Sequence, residues 1–340
     1  MHSFSRNLRQ RATVTLVGLL LFALSSLIFS GMTGSVSIPF SDIPAAVNAL
    51  LHGQTSTLAA TLLDLRASRA VSAFVTGAAL SLAGVMMQAL LRNPLADPYV
   101  LGLSAGASVG ALAALMFMCA AWVVDAAAFG GAVTVSMLLY LLARRDLRGG
   151  TAAEAGTSQL LLTGAIMSSG CMALVTLMLS IAPESRLRSM VFWMIGDLSG
   201  AQLRWMPWLV LIAALAFALR NARAMNVMAL HAEAAATLGI RVGTLRKGLF
   251  FVSGLLTASA VTSAGSIGFV GLIVPHACRY AVGPDHRILI PAATLAGGTF
   301  LMLADTLART AIAPQQLPVG VVTALIGAPV FLYQLHRLRK

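Results

Sequence analysis

Charge is what this sequence has least of. Only 10% of its 340 residues are Asp, Glu, Lys or Arg, where soluble domains carry about a quarter. Lysine is rarer still: Lys247, followed by Gly248, and the terminal Lys340. Neither stands in a G-x-x-x-x-G-K-[ST] loop, so no Walker A lysine can grip ATP, and the chain itself is expected to hold no cofactor. The three cysteines, Cys119, Cys171 and Cys278, are odd in number and dispersed in or beside apolar runs. They form neither a disulfide framework nor a metal site and read as buried filler. The eleven acids fall at expected span ends or in loops, which argues against an ion-coupled carrier with midplane carboxylates. His276, beside Pro275, is the nearest exception and reads as a packing or capping side chain before a proton relay. No paired carboxylates, metal-ligand spacing or nucleophile arrangement stands out, so no enzyme is expected.

What is present is apolar sequence: 58% hydrophobic residues and a mean hydropathy of +0.87. The 30 glycines suit close helix contact in lipid. An all-α polytopic membrane protein follows, a single domain over residues 1–340 with about ten spans. After a basic head these are Ala12–Phe29, Val71–Leu91, a third span carrying Gly102, Gly106 and Gly110, and Trp122–Ala143. Leu160–Ile181, Trp205–Leu219, Leu249–Ala264, Ile267–Val282, Leu289–Leu307 and Val319–Leu335 complete the set. Each is about long enough to cross the hydrocarbon at 1.5 Å per residue. Asp42–Leu51 and Met190–Gly200 read as short helices outside the spans. Asp97 is placed to cap the helix after the Arg92–Pro98 break, with Pro98 at its first position.

With the N-terminus inside, seventeen of the 23 Lys and Arg fall on the cytoplasmic side and six outside. That bias sets the orientation, both termini cytoplasmic. It also accounts for the net charge of +12, so nucleic acid drops out as a partner. Arg66–Gly110 and Arg241–Gly298 share a plan, a basic start, a glycine-studded span and a Pro-containing break. They suggest inverted-repeat halves.

The stretch between the sixth and seventh spans, Asn221–Gly243, is too polar for lipid. Val227, Leu230, Ala234 and Leu238 align on one helical face, and Gly239 is placed to end the helix as a C′ glycine. A cytoplasmic helix over about 226–239 is expected, suited to being pushed by another protein. At the opposite mouth, Arg66 and Arg69 lie three apart on one face and Arg309 ends the ninth span. They are either snorkelling anchors or a docking surface for acidic groups.

Four stretches carry a resemblance that covers nearly the whole chain in order. They are Arg66–Gly110 with Asn93-Pro94-Leu95-Ala96-Asp97-Pro98; Glu233–Gly239; Gly268–His276 through Gly283-Pro284-Asp285-His286-Arg287; and Leu317–Thr323 with Gly327-Ala328-Pro329. Together they resemble the iron-chelate, haem and vitamin-B12 family of ABC-importer permeases. The resemblance implies a homodimer in a bacterial inner membrane, two cytoplasmic ATPase subunits that bind ATP and Mg, and a periplasmic substrate-binding protein. It implies binding-protein docking at Arg66, Arg69 and Arg309, and a cytoplasmic gate at Asn93, Leu95, Thr157 and Ser158. It also implies ATPase coupling through Glu233, Ala234, Ala235, Leu238 and Gly239. Gln316 departs from the family, which often has Glu before Leu317-Pro318. The expected cargo is an iron chelate, siderophore or haem, with cobalamin as the alternative; an ion-coupled secondary transporter is the competing class.

Overall fold

The computed structural model describes the backbone of residues 2–55, 57–144, 153–200, 204–230, 235 and 237–338. Side chains are described from residue 12 onward, except at 153–158, 230, 335 and 337–338. Long apolar runs cannot leave backbone N–H and C=O groups facing lipid, so they close those bonds within themselves as helices. The described residues accordingly form twelve α-helices and no strand. In chain order these are α1 (His2–Met32), α2 (Ile43–Leu51), α3 (Leu58–Leu91) and α4 (Leu103–Met116). Next come α5 (Ala121–Ala143), α6 (Ala153–Ile181), α7 (Glu184–Ile195) and α8 (Trp205–Leu230). The last four are α9 (Val242–Ala264), α10 (Val270–Val282), α11 (His286–Thr310) and α12 (Val319–Leu338). Seven helices are long and apolar enough to cross a membrane: α1, α3, α5, α6, α8, α9 and α11. The shorter apolar helices α4, α10 and α12 stand where the third, eighth and tenth spans were expected.

Several expected boundaries move, each for a local reason. The second span begins at Leu58 rather than Val71, because Thr57 Oγ1 accepts the Ala60 N–H at 3.2 Å and caps a longer helix. Asp97 does accept the Tyr99 N–H, at 2.8 Å, but it caps a single 3-10 turn, Pro98–Leu101. Gly102, at φ +81°, then turns the chain into α4, so it is a cap and not part of the α4 face. The short helix expected at Met190–Gly200 is α7, ending before Gly196. Asn221–Leu230 continues α8 without a break, so the cytoplasmic helix does not begin at 226. Val227 packs on the core while Leu238 is exposed, so these two do not share one apolar stripe. Of the cysteines only Cys278 is buried; Cys171 is half-buried and Cys119 exposed.

α3 is the axis of the bundle, and every side chain from Val75 to Leu91 is buried. It packs on α11, α9, α10, α1, α8 and α2. Helices come this close only where side chains are minimal. A Cβ at Gly77 would collide with the Gly297 carbonyl of α11, and one at Gly84 with the Gly271 carbonyl of α10. Ser81, between them, donates to the Ala293 carbonyl at 2.7 Å. The same device joins α4 to α5, where Gly106 faces Gly131 and Gly110 faces Ala127.

Pro275 lies inside α10 and does not break it. It has no N–H for the carbonyl of Gly271 four residues back. That carbonyl instead faces the Gln88 amide of α3, with Nε2 at 3.5 Å. Non-helical backbone elsewhere in the bundle is likewise buried against protein. Tyr99 Oη accepts the Ile267 N–H at 3.2 Å, Ser104 Oγ donates to Ser266 Oγ at 2.7 Å, and the Asp197 N–H reaches the Ala264 carbonyl at 2.9 Å. Irregular chain is tolerated at membrane depth only under such cover.

The Gly84–Gly271 contact gives a direct test. Gly84→Leu forces a side chain into the α10 backbone and is expected to cost about 1–3 kcal/mol or more through overpacking. Gly18→Leu meets nothing within 4 Å and serves as the control. Thermal unfolding in detergent micelles should drop by several degrees for the first variant and stay unchanged for the second.

Candidate functional site

Two polar sites lie near opposite ends of α3. Arg69 and Gln88 are separated by about 28 Å along the helix at 1.5 Å per residue, close to the hydrocarbon thickness of about 30 Å.

At the first end Arg66, Arg69 and Arg309 are brought together. All three are buried, 6%, 9% and 5% exposed. The heads of Arg69 and Arg309 turn into the bundle, and that of Arg66 turns to the carbonyls at the end of α1. Asp305 organises Arg69 and Arg309. Its carboxylate is fully buried and receives Arg69 Nε at 3.1 and 3.0 Å and Arg69 Nη2 at 2.8 Å. Arg309 Nε stands 3.8 Å from its other oxygen. Arg309 Nη2 also donates to Ser30 Oγ at 2.8 Å, tying α11 to α1. Arg66 donates to the carbonyls of Met32, at 3.0 Å, and Val36. Arg69 Nη1 donates to Gln316 Oε1 at 2.9 Å. A carboxylate at 316 would pair with Arg69; the amide leaves the charge in place. Among the described residues Asp305 is the one carboxylate ion-paired in this cluster, with Arg69 and Arg309, so the site stays cationic. All three arginines and Gln316 line a cavity of about 220 Å³.

Asp305 was missed in the sequence because it was read as one more span-end acid. Its spacing to Arg309, one helical turn on, was the available signal.

At the second end lie the residues expected to form a gate. Arg92 closes α3 in the left-handed region at φ 49°, and Asn93 Oδ1 accepts the Leu95 N–H at 2.9 Å. Leu95 is 37% exposed. α6 packs on the Pro98–Leu101 turn and carries Thr157 and Ser158 early in its length, but their side chains lie outside the described residues. Glu233 and Ala234 also lie outside them. Ala235 is buried and Leu238 exposed. Gly239 has φ +80°, and the Ile240 N–H returns to the Ala235 carbonyl at 3.0 Å. That six-residue closure around a left-handed glycine is a Schellman end, with Gly239 at C′ as its position suggested.

The same end holds a cluster that the sequence reading did not single out. Asn226, in the last turns of α8, meets the α10–α11 corner: Nδ2 donates to Asp285 Oδ1 at 2.6 Å, and Oδ1 accepts the His286 N–H at 2.9 Å. Burial raises the Asp285 carboxyl, but the Arg287 N–H, the Asn226 amide and the Arg287 charge outweigh it and hold the group below its ordinary range. His276 packs edge-on to Tyr280, ring centroids 5.1 Å apart, and neither ring nitrogen has a hydrogen-bond partner among the described residues. It is a packing histidine. No group of three or more His, Cys, Asp or Glu suited to a metal occurs among the described residues.

The model of the FecCD transport family matches residues 19–337. The chain belongs to that family. It is thus a multi-pass membrane permease of the iron-chelate and vitamin-B12 class of ABC importers. A cobalamin import system permease protein of Halobacterium salinarum is 41% identical over 280 residues, 80% of this chain and 72% of that protein. The vitamin B12 import system permease protein of Salmonella paratyphi A is 36% identical over 98% of both chains. Among solved structures, one described as an inward-facing conformation of a putative metal-chelate type ABC transporter aligns with TM-score 0.80. It is 28% identical, over 96% of this chain and 99% of its own. PsaBC from Streptococcus pneumoniae, at TM-score 0.57 and 17% identity over 86% of this chain and 94% of its own, shares the fold alone.

Asp305 and Gln316 can be tested on the permease alone. Asp305→Asn strands two buried guanidiniums and should cost about 3–5 kcal/mol, read as a large fall in thermal stability. Gln316→Glu supplies a charge-assisted partner to Arg69 and should raise stability by about 1 kcal/mol. Equal melting temperatures for both variants and the native chain would remove Asp305 from its organising role.

Proposed function

We propose that this chain is the permease subunit of an ATP-driven cobalamin importer. It would work as a homodimer with two ATPase subunits and an external binding protein. The observation that carries the substrate is the relative matched along 98% of both chains, a vitamin B12 permease. No side chain described above chooses between cargoes, and the expected iron chelate becomes the second reading. It is favoured by the fold-level neighbour described as a putative metal-chelate type transporter.

The geometry suits the assignment at both ends. The buried, net-cationic cluster of Arg66, Arg69 and Arg309 faces a small cavity and would accept carboxylates of the binding protein. The 231–239 stretch would sit in a groove of the ATPase, its Gly239 end giving a stiff stop. Asn93 and Leu95, with Thr157 and Ser158, would form the inner gate. The Lys and Arg bias supports cytoplasmic termini. ATP, held by the partner ATPases, closes them, and two packings of the bundle exchange to expose the path on one side and then the other. The permease needs no ATP site of its own.

Two arms test this. The cognate binding protein is titrated with cyanocobalamin, a ferric hydroxamate and haem; saturable binding of cyanocobalamin alone supports the assignment, and binding of an iron ligand alone transfers it to the second reading. Glutamates on the binding protein are then changed to arginine, leaving the permease intact. Affinity for permease in nanodiscs should fall about a hundredfold or more. Unchanged affinity would remove the docking role of the arginines.

A further inference from the structure

The amide of Asn226 cannot be placed the other way round. A backbone N–H, that of His286, must donate, and the Asp285 carboxylate must accept, so Oδ1 and Nδ2 are assigned by chemistry. The ring Nδ1 of His286 lies 2.7 Å from the same Oδ1 and therefore carries the proton. Asp285 Oδ1 also accepts the Arg287 N–H at 3.0 Å. One side chain on α8 thus grips the first residues of α11 at three points. It does so about 6 Å before Leu230, where α8 ends and the 231–239 stretch begins.

The backbone of the α10–α11 turn joins this corner to a second set of polar bonds at the break, the Gly283 N–H donating to the Arg279 carbonyl at 3.0 Å. Arg279 of α10 donates through Nη2 to Gln88 Oε1 at 2.9 Å. Gln88 Nε2 in turn faces the carbonyls of Gly271, at 3.5 Å, and Leu272, at 3.4 Å. The first is the carbonyl that Pro275 leaves without a helical donor. The Gln88 main-chain carbonyl accepts the N–H of Asn93 at 3.2 Å and that of the Arg92 cap. So Gln88 holds α10 with its side chain and the break with its backbone.

These bonds are polar where apolar packing would stabilise at least as well. Polar contacts that fix a register or a switch are the best-attested reason to keep such groups inside. Their long members, at 3.4 and 3.5 Å, can lengthen or exchange with little loss. We propose that the Asn226–Asp285–His286 clasp, continued by Arg279–Gln88, is the transmission element that carries movement of the 231–239 stretch to the Arg92–Asp97 break. Asn226 is then a positioning residue, and the inference rests on the reading of 231–239 as the ATPase contact.

The test follows the break directly and needs no cargo. The full chain carries Leu95→Cys, with Cys119, Cys171 and Cys278 changed to alanine, and is assembled with its ATPase subunits in nanodiscs. Maleimide labelling at position 95 is timed without nucleotide and with ATP and vanadate, and the ratio of the two rates is the readout. The parent should give a ratio clearly different from one. Asn226→Asp sets a second carboxylate against Asp285, and the ratio should fall to about one, the value for no coupling. Asn226→Asp with Asp285→Asn restores a donor–acceptor pair and an N-cap, and the ratio should recover. Gln88→Leu cuts the other end of the same path and should also bring the ratio to one, which keeps the proposal testable if Asn226→Asp does not assemble. A merely structural role shifts both labelling rates together and leaves their ratio intact. A parent-like ratio in either single variant overturns the relay, as does a parent ratio of one. Cyanocobalamin uptake by the chain with native Leu95 is read separately; its absence beside a normal labelling pattern overturns the substrate and spares the relay.

Discussion

The structure depends on how closely α3 lets its neighbours approach. In lipid there is no hydrophobic gain from pressing two helices together, so association rests on packing and on interhelical hydrogen bonds. Gly77 and Gly84 bring the α11 and α10 backbones into contact with α3, and Ser81 adds a bond between those two points. Bulkier residues there would lift α10 off α3 and separate Gln88 from the carbonyl that Pro275 leaves open. The polar arrangement at the far end of α3 therefore exists because of small residues along its middle.

The second constraint is electrostatic. Three guanidiniums share one end, and the buried Asp305 is the carboxylate that offsets two of them, Arg69 and Arg309. Removing both partners of a buried ion pair often costs little, whereas stranding one is expensive. That asymmetry locks Asp305 to the arginines. Gln316 gives Arg69 a neutral acceptor instead of a second carboxylate, leaving the cluster more cationic than the family's frequent Glu would. An end built this way is held together within the chain and keeps a net positive charge.

Much of this was legible from composition and spacing. Scarce charge and long apolar runs gave the all-helical membrane fold, and Gly106, Gly110 and Gly239 do what their positions suggested. Boundaries were less legible where a single cap decides them, as Thr57 does for α3. The continuation of α8 through Asn226 was hidden because its polar face was read as exclusion from the bundle, when that face bonds to the α10–α11 corner. Asp305 and the Asn226–Asp285 contact join residues far apart in the chain, 236 positions for Arg69–Asp305 and 59 for Asn226–Asp285. Local periodicity carries no signal at that range. The cargo was not legible in any side chain; the lean to an iron chelate is not confirmed, and the relatives described as vitamin B12 permeases favour the cobalamin alternative.

Two sources of movement compete for this chain, ATP hydrolysed on partner subunits and an ion gradient across its own span ends. Uptake of labelled cyanocobalamin into cells expressing the full system is the most direct measurement. With ATP depleted and the membrane potential maintained, uptake should stop; with an uncoupler present and ATP maintained, it should continue. Uptake that survives ATP depletion and collapses with the uncoupler would contradict the account.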